Sequence, residues 1–278
     1  MSKRILGIFT VLGLLAMVPA PGWADQLTIL HSNDTHSHLY AFGPQNQYGG
    51  IAKMSELIGE LKHTHSLAGC PVMTLNAGDV FVGTFAFNKY LGYPELKIME
   101  GMYDAMCLGN HEFDLGLDAL TGILSGQIPG DSPVQLPILC ANIENLDAGH
   151  PLHQFVKPSL ILQAGNIQAG LFGVVTTDPQ HYSAEVNAVL TDPYAAAAEQ
   201  AAYLQGQGCD VVICLSHLGF YPDMQGLSTV PGIDIIIGGH THTVLPQPQL
   251  VNGKIIVQAG EFNQYLGELQ IDVSPESI

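Results

Sequence analysis

Arginine is almost missing from this 278-residue chain. Arg4 is the only one, and Lys and Arg together number 8 against 25 Asp and Glu, for a formal net charge of −17. A nucleic-acid binder lays basic side chains along the phosphate backbone, so that class is excluded. The same shortage constrains any site for a phosphate ester, because no arginine fork exists to hold the anion. Positive charge there must come from metal ions, His, the few Lys and backbone N–H groups. Long apolar runs are scarce too. One, from Ile5 to Val18, follows Lys3 and Arg4 and gives way to Pro19, Pro21 and Gly22-Trp23-Ala24. It falls short of the ~20 apolar residues of a spanning helix and has the order of a secretory signal. Residues 1–24 are therefore expected to be a signal peptide cut after Ala24, sending the chain to the periplasm or the medium with no stable membrane anchor. Cysteine is limited to Cys70, Cys107, Cys140, Cys209 and Cys214. Their spacing fits no zinc knuckle. One disulfide is compatible with an oxidising compartment, but sequence cannot pair it.

What is present is apolar. Hydrophobic residues make up 47% and charged residues 12%, enough to fill a sizeable core. Apolar, β-branched-rich runs at Leu27–Leu30, Val72–Leu75, Ala105–Leu108, Val211–Leu215 and Ile233–Ile237 read as strands buried on both faces. Helical patterns lie between them at Gly50–Leu61, Pro94–Met102, Leu117–Leu124 and Tyr194–Leu204. Leu160–Leu162 and Gly170–Val175 flank Gly165-Asn166 as a hairpin, and Ile255–Ala259 and Leu266–Val273 add two strands. The pattern predicts an α/β fold of mixed sheets covered by helices, in one domain from about Asp25 to Val273.

Each main strand run is followed by a polar cluster: His31-Ser-Asn-Asp34-Thr-His36-Ser-His38, Asn76-Ala-Gly-Asp79, Gly109-Asn110-His111-Glu112-Phe-Asp114, Ser216-His217 and Gly238-Gly239-His240-Thr241-His242. Ligands collect at the carboxyl ends of strands in α/β sheets, and Asp, Asn and His are hard or borderline metal ligands. In an extended stretch, residues two apart point the same way, so Asp34 and His36 can aim at one ion, and His240 and His242 likewise. The flanking glycines allow close backbone approach. A single Asp or His after a strand is an ordinary turn residue; an ordered series of them points to a two-metal site. His63, His65, His150, His153 and His181 read as surface residues, and His31 and His38 as neighbours of the site.

Asp34-x-His36, Gly78-Asp79, Gly109-Asn110-His111-Glu112, Ser216-His217 and Gly239-His240-Thr241-His242 resemble the ordered motifs of calcineurin-like metallophosphoesterases. The longer strings Leu30–His36 and Gly109–Asp114 resemble the catalytic domain of the bacterial periplasmic 5′-nucleotidase family. The resemblance implies a four-layer αββα sandwich over residues 25–278. It implies that Asp34, His36 and His242 hold one divalent ion, that Asn110, His217 and His240 hold a second, and that Asp79 bridges them. Zn, Mn, Co or Fe would suit these donors. His242 stands where some relatives carry Gln or Asn, which favours a borderline metal such as zinc. His111 would be catalytic and oriented by Asp114.

The substrate class implied is a small-molecule phosphate monoester, nucleoside 5′-monophosphates included. Full-length members carry a further domain with base-stacking aromatics and arginines. The sequence stops short of such a segment, so the expectation is a broad phosphomonoesterase. Other enzymes compatible with the same core are a phosphodiesterase or cyclic-nucleotide phosphodiesterase and a sulfur-oxidation thiohydrolase. An exported metal-binding protein is the non-enzymatic alternative, and it leaves His111 and Asp114 without a purpose.

Overall fold

The computed structural model describes Leu6–Gly7 and residues 25–144, 146–147 and 149–274. The rest of the expected signal peptide lies outside the described residues. Two sheets form the centre. The first runs in the order β1 (Leu6–Gly7), β13 (Gly267–Val273), β2 (Asp25–Ser32), β3 (Val72–Asn76), β4 (Ala105–Cys107), β5 (Ile138–Leu139) and β6 (Val156–Lys157). From β2 to β6 its neighbours are parallel, while β13 pairs antiparallel with β2. The second runs β11 (Gln249–Val251), β12 (Lys254–Val257), β10 (Ile235–Gly238), β9 (Val211–His217), β8 (Ile167–Val175) and β7 (Ser159–Ala164). Its four central strands are parallel and its two edges antiparallel. The β7–β8 hairpin turns at Gly165-Asn166, as expected, with Ala164 paired to Ile167.

Alternation along the strands divides the apolar residues among three cores. Leu27, Ile29, Leu75 and Cys107 of the first sheet face Leu171, Ile213, Leu215 and Ile237 of the second. On the outside of the first sheet, Leu30, Met106 and Ile138 pack against Met54 and Ile58 of α1 (Ile51–Leu67), Leu96 and Met99 of α3 (Tyr93–Met99), and Leu117 and Leu120 of α4 (Gly116–Leu124). On the outside of the second, Phe172, Val212, Cys214 and Ile236 meet Ala196, Ala197, Ala201 and Leu204 of α6 (Pro193–Gly206). Helix, sheet, sheet, helix is the four-layer αββα sandwich. Each fully buried Leu or Ile in it contributes about 1.5–3 kcal/mol.

The helices differ from expectation mainly at their ends. α1 runs on to Leu67, and α6 starts at Pro193, where Asp192 accepts the amide hydrogens of Tyr194 and Ala195. Three short helices were not legible in the sequence: α2 (Phe85–Tyr90), α5 (Ala184–Val189) and α7 (Phe220–Gln225). Each has 6 residues, too few for a helical period to stand out. Among the described residues no disulfide is formed. Among the described residues no helix is long and apolar enough to cross a membrane.

Candidate metal centre

The carboxyl ends of β2, β3, β4, β9 and β10 converge. The loop after β2 runs alongside the loop after β3: the amides of Asp34, His36 and Ser37 donate to the carbonyls of Gly78, Asp79 and Val80 at 2.9, 3.0 and 2.8 Å. Asp34 reaches across to the second sheet, where its carboxylate accepts the His240 amide at 3.1 and 3.0 Å. Glycine makes these approaches possible. A Cβ on Gly109 would stand 2.2 Å from Asp79 Oδ1, and one on Gly239 would stand 2.6 Å from the Ala77 carbonyl oxygen.

Asp34 and His36 do lie together, but not by the extended backbone expected for them. The backbone there is not extended: Asp34, His36, Asp79, His240 and His242 all have positive φ, between 46° and 71°. Non-glycine residues take this conformation at a cost that surrounding structure must hold in place. Here it turns side chains from both sheets toward one centre.

The predicted residues form overlapping groups of donor atoms: Asp34, His36 and His242; His36, Asp79 and His111; and Asp79, His217 and His240. His36 Nε2 lies 3.2 Å from His242 Nε2. His242 Nε2 lies 3.3 Å from Asp34 Oδ1, and His217 Nε2 lies 3.0 Å from Asp79 Oδ2. Asn110 Oδ1 is 2.9 Å from His240 Nδ1. Two donors bound to one ion at about 2.1 Å are themselves ~3.0–3.4 Å apart, so these spacings suit metal ligation.

The electrostatics suit it as well. Asp34 and Asp79 are both buried, and among the described residues neither has a lysine or arginine partner. Among those residues their ion-pair partners are His36, His217 and His242. Two carboxylates withdrawn from water in one pocket call for cations. His217 Nε2 is buried and faces Asp79 Oδ2. Its Nδ1 donates to the Ala77 carbonyl at 2.6 Å, which turns Nε2 inward. His36 is oriented similarly by the Phe81 carbonyl at 3.2 Å.

Protonation follows from the same arrangement. Burial opposes a charge on His217, but Asp79 and Asp34 outweigh it and push the metal-free imidazole up to about 10. Burial also works to raise Asp79, yet the charge and hydrogen bond of His217, with His111 and His36, hold it below the usual carboxylate range. Burial and the neighbouring His217 bring His240 down to about 4. His111 Nδ1 donates to Asp114 Oδ2 at 2.8 Å. That bond, against partial burial, raises His111 above the ordinary histidine value.

The roles of several supporting residues were not legible in the sequence. The Glu112 carboxylate accepts the amides of Asp79, Val80, Phe81 and Gly109 at 3.0, 2.8, 3.0 and 2.6 Å. It thereby ties the loop after β3 to the loop after β4. Burial and Asp79 push Glu112 up to about 7, against the pull of those amides. Asn33 donates to Asp34 Oδ2 and to the Gly260 carbonyl, both at 2.6 Å. Glu261 accepts from Nδ1 of His242, the carboxylate support common behind metal-binding histidines.

Of the remaining histidines, His31 is buried and held down to about 4 by burial. His38 stacks on Phe262 at 4.0 Å, and that ring lies edge-on to His36 at 5.8 Å. His65 pairs with Glu268 at 2.8 Å, away from the donor groups. His181 is exposed, as expected, and it also meets His240 edge to face with ring centroids 5.1 Å apart.

The chain matches the sequence model of the calcineurin-like phosphoesterases over residues 27–244. It is 31% identical over 282 residues to the trifunctional nucleotide phosphoesterase protein YfkN of Bacillus subtilis, covering 91% of this chain and 18% of that one. It is 32% identical over 306 residues to the snake venom 5′-nucleotidase of Gloydius brevicauda, covering 97% of this chain and 49% of the relative. A solved 5′-nucleotidase precursor from Thermus thermophilus superposes with a TM-score of 0.76 at 30% identity, over 88% of this chain and 51% of that one. The chain thus spans about half or less of the length of these relatives.

Proposed function

The chain belongs to the calcineurin-like phosphoesterase family, and from that premise we propose that it hydrolyses phosphate monoesters, nucleoside 5′-monophosphates among them, with the help of two divalent ions. The convergence of Asp34, His36, Asp79, Asn110, His217, His240 and His242 from five strand ends carries the proposal. Asp34, His36 and His242 would hold one ion, and Asn110, His217 and His240 the other. Asp79, whose carboxylate faces both His36 and His217, would bridge them. When bound, such a pair supplies Lewis acidity and a water of lowered pKa. The mixture of imidazole, amide and carboxylate donors suits Zn, Mn, Co or Fe. Only two of the seven side chains bring negative charge, so the loaded site stays cationic within an acidic protein.

His111 supplies the proton. As water adds to phosphorus and the P–O ester bond breaks, the departing oxygen needs a proton, and the hydrogen bond to Asp114 favours the charged form of His111. A general acid so placed is worth about 10²–10⁴-fold in rate. His111 is also anchored through its amide to Asp79 Oδ1 at 2.9 Å, so acid and bridging carboxylate are positioned together. Residues 1–24 would direct export to the periplasm or the medium.

The test is phosphate release by metal-stripped protein resupplied with Zn, Mn, Co or Mg. The substrates are 4-nitrophenyl phosphate, its bis-ester, AMP and 2′,3′-cyclic AMP. Metal-restored turnover of 4-nitrophenyl phosphate and AMP is expected. Turnover confined to the diesters would make the protein a phosphodiesterase, and no turnover with two ions bound would end the hydrolase reading.

A further inference from the structure

His181 stands at the exposed edge of the His240 group on a firmly built perch. Just past β8, the Thr176 amide donates to the His217 carbonyl at 3.1 Å, so the segment leaves the sheet beside a buried donor. Pro179–His181 then makes one turn of 3-10 helix, capped by the Asp178 carboxylate, which accepts the Gln180 amide at 3.0 Å. The Tyr182 hydroxyl donates back to the Thr176 carbonyl at 2.7 Å. Asn187 Nδ2 reaches the Pro179 and Tyr182 carbonyls at 3.4 and 3.3 Å. Tyr182 also meets Phe113 edge-on at 5.8 Å, and Phe113 belongs to the short turn that carries His111. The loop thus presents an exposed imidazole at 90° to the His240 ring while its base packs against the segment of the proposed general acid.

We infer that His181 is a substrate contact of the hydrolase proposed above, on which this inference rests: its imidazole N–H donates a hydrogen bond to a phosphate oxygen of the ester. Asp34, Asp79 and His217 are closed off from water, so an ester approaches the donors from the open side, and on the His240 flank that side belongs to His181. A phosphate needs donors, and apart from Arg4 the chain has no arginine to supply them. The 3-10 turn fixes the backbone that carries the ring before substrate arrives, which lowers the ordering cost of binding.

Inorganic phosphate binding to the metal-loaded wild type, H181A and H181Q can be followed by titration calorimetry. Metal content and the kcat and KM for 4-nitrophenyl phosphate are measured alongside. In H181A the phosphate Kd and the KM should each rise about tenfold, the size of one hydrogen bond to a charged group, with two ions retained. H181Q keeps an N–H donor and should recover part of the loss. Phosphate affinity and KM within about twofold of wild type in H181A would overturn the inference and leave the hydrolase standing. Loss of ions from H181A would also overturn it, making His181 a support for His240. A loaded wild type that neither binds phosphate nor turns over the ester would overturn both.

Discussion

The donor group around His217 and the one around His242 are made of the same chemistry at different depths. His217 is fully buried, and its ring is fixed by a backbone carbonyl in the loop after β3. The His242 side chain is 33% exposed and leans on Glu261, itself 31% exposed. A backbone carbonyl inside a packed sandwich cannot move without moving the sheet, whereas a side-chain carboxylate at the rim can. The inner group should therefore bind its ion tightly and exchange it slowly, and the outer group should be the one that loads and unloads. Asp79 approaches both His36 of the outer group and His217 of the inner one, and losing it should erase the difference.

Substitution at Asp79 should have the largest effect. Asp79→Asn keeps the shape but removes the charge shared by both groups. Activity should fall about 10³-fold, several kcal/mol of lost charge stabilisation, and metal analysis should find fewer than two ions. A kcat/KM close to wild type would take Asp79 out of the bridging role between the two groups. Next is His111→Ala, expected to cost about 10²-fold in kcat while both ions stay bound. Asp114→Asn sharpens this. Asp114 raises His111, so without it His111 loses its proton at lower pH, and the alkaline limb of the kcat profile should move down. An unmoved limb would take His111 out of the acid role.

Glu261→Gln should act on the outer group alone. Its ion should bind about 10–100-fold more weakly, the usual loss on removing a carboxylate behind a histidine ligand, with the inner ion unaffected. Equal weakening of both would remove the distinction of depth. The smallest effect is a proton count. Metal-free His217 is raised to about 10, above its ordinary value, so at pH 7 it is charged. It stabilises the metal-free fold below about pH 6.5, and that stabilisation is lost as pH rises toward 10. Filling the inner group at pH 7 should therefore release about one proton per chain, readable by calorimetry in buffers of different ionisation heat. In His217→Ala that release should disappear.

The sequence exposed the candidate donors because each follows a strand, and strand ends in such sheets gather at one edge of the fold. It exposed the layers because runs such as Val211–Leu215 are apolar at every position. What it hid depends on pairs distant in the chain. Glu112 looks like one more polar residue in a turn until four amides from two loops are seen to point at it. Glu261 and Asn33 gain their meaning from His242 and Gly260, which the fold brings beside them. The left-handed backbone at Asp34, His36, Asp79, His240 and His242 is likewise invisible, since non-glycine residues take it only where the fold imposes it. His181 read as a surface residue because a histidine in a polar loop is ordinary; its neighbour His240 is not.

The most direct test of the central claim is anomalous diffraction from crystals of the protein soaked separately in zinc and manganese. Two peaks per chain about 3.5–4 Å apart, with Asp79 between them, His217 on the inner ion and His242 on the outer, are predicted. A single peak, or two that leave Asp79 uncoordinated, would contradict the two-ion centre.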